Sequence, residues 1–161
     1  MRVGHPEITF DEHVPASPLI ARCDRRLKSQ AVTNIVKNAT EAILAVPEDV
    51  RGPGRVAVNV GEEGEHIVIS VTDNGKGFPR EHRQRLLEPY MTTREGGTGL
   101  GLAIVAKILE DHGGGIELLD NPDLPQGGMV RMWFPRRGVT DESARKPGKG
   151  RERTSKQEKS A

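Results

Sequence analysis

The chain has 161 residues, of which 34% are apolar and only 3% aromatic. Its core must therefore be built from Val, Ile, Leu and Ala, enough for one domain of roughly 120 residues but not for two. A single cysteine excludes an internal disulfide and suits a reducing compartment. No apolar run reaches the roughly 18 residues of a membrane span, and no signal peptide opens the chain. We therefore expect a cytoplasmic chain that does not itself contact a membrane.

The net charge of +1 is unevenly distributed. Residues 137–161 carry eight basic and four acidic side chains, whereas the first 136 residues carry 16 basic and 19 acidic ones. Since a DNA-binding domain usually has a basic patch on its folded face, this acidic body argues against a nucleic-acid partner. The segment after Pro135 lacks an apolar pattern, and we predict a disordered basic tail over residues 137–161.

The first predicted elements are a strand and a long helix. Ile8–Val14 alternates weakly and predicts an edge strand. One apolar stripe at helical spacing predicts a helix that starts near Leu19 or Asp24 and runs to Val46. Pro47 ends this helix.

A hairpin and a long loop follow. Residues 56–60 and 67–71 alternate between apolar and polar side chains on either side of a glycine turn, which predicts two antiparallel strands, the second leading to Asp73. Residues 78–97 are polar and glycine-bearing, with a short helical stretch near Glu81–Leu87. A loop of this length is usually a functional lid or a disordered segment.

The last elements are a second helix and two strands. Helical spacing of apolar residues predicts a helix over Leu100–His112, which three glycines end. Ile116–Leu119 predicts a short strand, and alternating side chains at residues 129–134 predict the last one. Because strands and helices mix without regular βαβ alternation, we predict an α+β fold. The expected architecture is a two-layer α/β sandwich in which about three helices cover one face of a mixed sheet.

Two asparagines on the first predicted helix are candidate ligands. Asn34 and Asn38 lie one turn apart and so share a face, although Asn is unfavourable inside a helix. An amide oxygen suits Mg²⁺, which prefers oxygen ligands and is often completed by substrate phosphates. The alternative is that both amides cap or bridge neighbouring backbone.

The run Asp73-Asn74-Gly75-Lys76-Gly77 follows the second strand of the hairpin. Its glycines allow a tight turn and close approach to a flat ligand, and an ionised Asp73 carboxylate would accept the exocyclic amine of adenine. The alternative is an Asx turn that only joins a strand to a loop.

Residues 96–102 form a glycine-rich start to the second predicted helix. Backbone N–H groups and the helix dipole attract anions at such a start. The pattern is neither a Walker loop nor a Rossmann turn. The alternative is a flexible hinge before a core helix.

Taken together, these segments resemble the catalytic ATP-binding domain of sensor histidine kinases, in the gyrase, Hsp90, histidine kinase and MutL superfamily with its Bergerat ATP-binding fold. The run EPYMTTREGGTGLGLAIV and the basic tail most resemble the nitrogen-regulation group of these kinases. Five segments of this chain are similar to the family's motifs. In chain order they are Gln30–Ile43 (N box), Val71–Pro79 (first glycine box), Leu86–Arg94 (F box), Gly96–Val105 (second glycine box) and Gly127–Pro135 (last glycine box).

The resemblance implies a role for each matching residue. Asn38 would bind Mg²⁺, with Asn34 supporting the same ion, and Asp73 would accept the adenine amine beside Ala42. Residues 78–97 would be the ATP lid, and Arg94 would act in catalysis with Asn34 and Asn38. The remaining ATP-binding residues would be Gly75, Gly77, Thr93, Gly97, Thr98, Gly99, Leu100 and Gly101.

This sequence departs from the family pattern in two boxes. Leu87 and Met91 stand where the F box usually has Phe, and Arg94 replaces a Lys, which keeps the charge but changes its shape. Gly128 and Val130 replace Thr and Phe in the last box. These differences bear on the packing of the lid more than on nucleotide binding.

The resemblance implies a kinase module that acts on a separate protein domain. None of the five histidines lies in the HE-x-x-N-P-like setting of a phosphoacceptor. Residues 8–136 would be the catalytic domain, without the dimerisation and phosphoacceptor domain. It would transfer the γ-phosphoryl group of Mg·ATP to a histidine on that domain, upstream of a response regulator, in a parent protein anchored in the inner membrane.

Three other functions would use the same pocket. They are a superfamily ATPase or chaperone-type switch, an anti-sigma-type serine kinase and a non-catalytic nucleotide sensor. In gyrase and MutL ATPases a Glu that activates water stands four residues before the Mg²⁺-binding Asn. Here that position is Asn34, which is not a base, so we expect weak ATP hydrolysis; Glu41, one turn further along, is an alternative base.

Overall fold

The computed structural model describes residues 4–21, 23–91 and 100–136. None of the helices in these ranges is both long and apolar enough to span a membrane. In chain order the elements are β1 (Ile8–His13), α1 (Arg25–Leu44), α2 (Glu48–Arg51), β2 (Gly54–Glu63), β3 (His66–Asp73), a 3₁₀ helix (Arg83–Leu87), α3 (Gly101–Asp111), β4 (Gly115–Asp120) and β5 (Gly128–Pro135).

The five strands form one mixed sheet in the order β1-β2-β3-β5-β4. β1 lies parallel to β2, and every other neighbouring pair is antiparallel. The predicted hairpin is confirmed as β2 and β3, and the predicted edge strand is confirmed as β1. Because β3 lies in the middle, its carboxyl end is flanked by β2 on one side and by β5 on the other.

The core lies between one face of the sheet and the helices α1 and α3. Ile69 and Val71 of β3 pair with Met132 and Val130 of β5, and all four side chains are buried in one cluster with residues of both helices. Ile35 of α1, for example, is fully buried. Each such aliphatic side chain contributes roughly 1.5–3 kcal/mol by leaving water. The structure confirms the predicted α+β sandwich. Its core is mostly aliphatic, as expected, but it also contains the fully buried side chains of Met132 and Phe134.

The ends of α1 follow from local chemistry. Asp24 caps the helix, since its Oδ1 accepts hydrogen bonds from the backbone N–H groups of Arg26 and Leu27. The predicted end at Val46 is wrong, because α1 stops at Leu44. A residue before proline is disfavoured in the helical conformation, and Pro47 instead precedes α2, which the sequence analysis missed.

The described part of the predicted lid packs against the sheet through its 3₁₀ helix. Leu87 contacts the core, whereas Tyr90 is 77% exposed. Arg83 donates to Asp120 Oδ1 at 2.9 Å and to the carbonyl of Pro79 at 3.0 Å, so it joins the start of the lid to the end of β4. The predicted roles of residues 92–99 and of the tail 137–161 lie outside the described residues.

Two leucine-to-alanine changes test whether α3 contributes to the core. Leu109 is fully buried, whereas Leu44 is 45% exposed. We expect Leu109→Ala to lower the free energy of unfolding by about 2–5 kcal/mol and Leu44→Ala to lower it by less than about 1 kcal/mol. Urea denaturation followed by circular dichroism measures both. Equal losses for the two variants would contradict the assigned core.

Candidate functional site: a cavity between α1 and the ends of β3 and β5

Strand periodicity places the Asp73 carboxylate in the protein interior. Ile69, Val71 and Asp73 alternate along β3 and therefore point to the same face, the one that α1 and α3 cover. Asp73 is only 6% exposed. A carboxylate thus ends a row of aliphatic side chains and faces the core rather than the solvent.

The Asp73 carboxylate is held by two backbone N–H groups. Its Oδ1 accepts from Gly75 at 2.8 Å and from Gly128 at 3.4 Å. Burial raises the pKa of Asp73 to about 6, and these two hydrogen bonds oppose that increase because they favour the charged form. The group is therefore mainly ionised at pH 7 in surroundings that solvate it poorly.

The turn after β3 anchors this end of the sheet. The hydrogen bond from the Gly75 N–H to Asp73 Oδ1 closes an Asx turn, which the sequence analysis gave as the alternative to a binding role. The same hydrogen bond fixes the carboxylate in place. Asn74 accepts from Arg55 N–H at 2.8 Å and donates to the carbonyl of Pro53 at 2.8 Å, so its side chain ties the turn to the start of β2. The Asx turn and a binding role for Asp73 are therefore compatible.

A partly enclosed cavity lies between α1 and this end of the sheet. It contains about 310 Å³ of space, some of it open to solvent. Aliphatic residues of α1, β3 and β5 line it together with Asn38, Ala42, Asp73, Gly77 and Phe78. An apolar cavity with one carboxylate and one amide is typical of a site that binds a flat, largely apolar group with a few polar atoms.

The structure brings two predicted residues of α1 to the cavity and leaves the third outside its lining. Asn38 and Ala42 line it, one helical turn apart. Asn34 lies a further turn towards the start of α1, is half-buried, and is not among the lining residues.

The two predicted glycines have different surroundings. A Cβ atom at Gly75 would lie 2.4 Å from the carbonyl carbon of Ala42, and the Lys76 N–H donates to that carbonyl at 3.1 Å. The close approach at Gly75 is therefore to α1, and Gly75, unlike the prediction for it, is not among the residues that line the cavity. Gly77 does line the cavity and has a φ of +72°, which disfavours other residues.

The start of α3 lies beside Asn38. A Cβ atom at Gly101 would be 3.8 Å from both atoms of the Asn38 amide group, and Leu100 occupies the N-cap position without a side chain able to cap the helix. Among the described residues no cluster of His, Cys, Asp and Glu would hold a metal ion by itself. The other predicted nucleotide ligands, Thr93, Arg94, Gly97, Thr98 and Gly99, lie outside the described residues.

Sequence reasoning missed the contribution of the β4–β5 loop. Asn121 donates to the carbonyl of Asp73 at 2.9 Å, and a Cβ atom at Gly127 would lie 2.0 Å from the same oxygen. Phe78 lies over Gly128, where a Cβ atom would be 2.9 Å from the ring. The only sequence signal for this loop is the Gly127-Gly128 pair, which begins the segment similar to the last glycine box.

Comparison with known proteins identifies relatives over most of the chain. Residues 23–138 match the family described as histidine kinase-, DNA gyrase B-, and HSP90-like ATPase. Nitrogen regulation protein NtrY of Azorhizobium caulinodans is 61% identical over 138 residues, which cover 86% of this chain and 18% of NtrY. The chain thus spans less than one fifth of this curated relative.

Solved structures of histidine kinases share the fold. The mycobacterial sensor histidine kinase MprB superposes with a TM-score of 0.70 at 28% identity, covering 83% of this chain and 87% of that one. Full-length ShkA in complex with AMPPNP superposes with a TM-score of 0.67 at 25% identity, covering 82% of this chain and 26% of ShkA. The predicted resemblance to kinases of the nitrogen-regulation group is confirmed.

Titration of Asp73 tests the electrostatics of the cavity without any ligand. We expect its carboxyl ¹³C resonance to titrate near pH 6 and to be absent in Asp73→Asn. Because the pKa in the folded state exceeds the ordinary 3.8, protonation favours folding. The stability of the wild type relative to Asp73→Asn should therefore increase as the pH falls through 6 and be lost as it rises again. A midpoint at or below 4 would contradict the described burial.

Proposed function

Because the chain belongs to the histidine kinase-, DNA gyrase B-, and HSP90-like ATPase family, we propose that it is the catalytic module of a two-component sensor kinase. It binds Mg·ATP and donates the γ-phosphoryl group to a histidine on a separate dimerisation domain. One observation carries this proposal: Asp73 and Asn38 come from separate segments and line one cavity, and Gly101, the first residue of α3, lies beside Asn38.

The end of the cavity at Asp73 suits an adenine base. In the described part of the chain, both hydrogen bonds to the carboxylate fall on Oδ1, so Oδ2 is the oxygen that would accept from the exocyclic amine. A buried carboxylate accepts but does not donate while ionised. It therefore favours adenine, which has an amine, over guanine, which has a carbonyl oxygen at the corresponding position. Val71 and Phe78 supply apolar contacts for the ring.

The end of the cavity at Asn38 suits Mg²⁺ and phosphates. An amide oxygen fits this ion, which usually keeps waters and shares substrate phosphates instead of occupying an all-protein cage. Asn38 would hold the ion and Asn34 would support it. Bound Mg²⁺ would neutralise charge on the phosphates, while the start of α3 offers backbone N–H groups to them.

The transfer itself requires positioning more than acid–base chemistry from this chain. A nitrogen of the acceptor imidazole attacks the γ-phosphorus, the bond from that phosphorus to the β–γ bridging oxygen breaks, and ADP leaves. Such a reaction is accelerated mainly by alignment and by neutralising charge. We assign the charge contribution to Arg94, and the backbone contacts to Thr93, Gly97, Thr98, Gly99 and Leu100. Asn34 is not a base, so activation of water is weak.

Several features of the parent protein are part of the same proposal. We place the catalytic domain at residues 8–136 and propose that the remainder, 137–161, is a tail outside it. The acceptor histidine lies on a dimerisation domain, a response regulator receives the phosphoryl group next, and the parent is anchored in the inner membrane. The relatedness to NtrY, a nitrogen regulation protein by name, supports a signalling role in nitrogen regulation.

Calorimetric titration tests the two ends of the cavity separately. We expect the wild type to bind Mg·ADP and Mg·ATP more tightly than Mg·GTP, and Asp73→Ala to lose that preference by about tenfold or more, because a hydrogen bond to a charged group disappears. We expect Asn38→Ala to lose the dependence of binding on magnesium.

Matched controls separate these effects from general damage. Asp123→Ala and Asn59→Ala remove the same types of side chain at exposed positions and should leave both properties unchanged. Equal affinity of the wild type for adenine and guanine nucleotides, or no response to magnesium, would contradict the proposed pocket.

Phosphotransfer distinguishes the proposal from its alternatives. The chain is incubated with ATP labelled at the γ-phosphate and a histidine-bearing helical hairpin domain. We expect an acid-labile phosphorylated hairpin, no such product with Asn38→Ala, and slow hydrolysis without the acceptor. An acid-stable product would instead indicate a serine kinase, and rapid hydrolysis without the acceptor would indicate a free-standing ATPase.

A further inference from the structure

The hydrogen-bond ladder between β3 and β5 ends just before Asp73. Thr72 and Met129 form the last pair of residues between these strands, and β5 begins at Gly128. On the other side, Asp73 still pairs with Val56 of β2. The backbone carbonyl of Asp73 therefore lies beyond the regular ladder on the β5 side. Its hydrogen-bond donor has to come from a group outside the ladder.

Asn121 supplies that donor from the β4–β5 loop. Its Nδ2 donates to the carbonyl oxygen of Asp73 at 2.9 Å, across 48 residues of sequence. Its Oδ1 accepts from the Asp123 N–H at 2.9 Å, and its own N–H donates to the Gly127 carbonyl at 3.2 Å. Because Oδ1 faces a donor and Nδ2 faces an acceptor, the network determines the orientation of the amide. The side chain is thus held in one orientation by its own loop.

The same loop also fixes the carboxylate of Asp73. Gly127, with a φ of +113°, lies so close to the Asp73 carbonyl that no side chain fits, and the next residue, Gly128, donates its N–H to Oδ1. The loop thus holds Asp73 by its backbone through Asn121 and by its side chain through Gly128. Losing the first contact would leave the backbone that carries the second held only from the β2 side.

We propose that Asn121 is a positioning residue that determines selectivity for the adenine base by holding Asp73 in place. This inference rests on the proposed function, since it assumes that Asp73 accepts the amine. Asn121 itself faces the backbone of Asp73 and has no assigned contact with the nucleotide. Its removal should therefore affect discrimination between bases and not the binding of phosphate.

The test compares two nucleotides that differ at the amine. ADP carries it, and inosine diphosphate has a carbonyl oxygen there. The full chain is titrated calorimetrically with the Mg²⁺ complexes of ADP, of inosine diphosphate and of tripolyphosphate, which has no base. We expect Asn121→Ala to reduce the ratio of ADP to inosine diphosphate affinity by about three- to tenfold, the range for one neutral hydrogen bond, with tripolyphosphate affinity unchanged.

Two further variants keep the test decisive if Asn121→Ala destabilises the loop. Asn121→Asp preserves the acceptor for the Asp123 N–H but removes the donor to Asp73, so it should also lower the ratio. Asp123→Ala removes only an exposed side chain from the same loop and should retain the wild-type ratio.

The outcomes separate this inference from the function on which it rests. A wild type that does not distinguish ADP from inosine diphosphate contradicts the proposed binding of adenine by Asp73. A selective wild type whose ratio survives both changes at Asn121 overturns the positioning role alone. A ratio that falls equally in Asp123→Ala overturns it as well, because the effect would then belong to the loop in general.

Discussion

The site depends on a single buried carboxylate at the end of an otherwise aliphatic strand face. Placing Asp73 among apolar side chains is unfavourable for its charged form, and the raised pKa of about 6 expresses that penalty. Two backbone N–H groups offset part of it, both at the same oxygen. Three segments hold the buried Asp73 in place. They are the turn after β3, the start of β5 and the β4–β5 loop. In the proposed site, the remaining desolvation penalty would favour a ligand that donates a hydrogen bond to this carboxylate.

Backbone packing, more than side-chain choice, shapes the surroundings of this carboxylate. Gly75 lies against the backbone of α1 at Ala42, and Gly127 lies against the carbonyl of Asp73, each so close that an added Cβ atom would overlap main-chain atoms. The two glycines therefore bring a helix and a loop to within contact of the same strand end. Their role is chiefly to let protein segments approach each other, which in turn defines the space left for a ligand.

Sequence reasoning succeeded where the signal is local. Alternation predicted β2, β3 and β5, helical spacing predicted α1 and α3, and the placement of Asp73 at a strand end followed from the same pattern. The family resemblance then brought Asn38 and Asp73 to one site, although they are far apart in sequence. It did not reveal Asn121, because the loop that contains it shows only turn-forming residues, and its contact with Asp73 spans 48 positions. The predicted end of α1 is two residues too late, because helical spacing continues to Val46 although a residue before proline is disfavoured in the helical conformation.

The geometry of α1 relates the two ends of the proposed nucleotide site. Ala42 contacts the turn that holds Asp73, and Asn38 lies beside the first residue of α3. Four residues of helix separate them, a rise of about 6 Å, and Asn34 lies about 6 Å further along the same face. The base end is built by the sheet and the β4–β5 loop, while the phosphate end requires α1 and α3 to lie side by side. Because a helix is stiff along its axis, α1 sets the distance between the base end and the phosphate end of the proposed site. In the proposed site, Asn34, which is not among the residues that line the cavity, would act only on the metal and the phosphates.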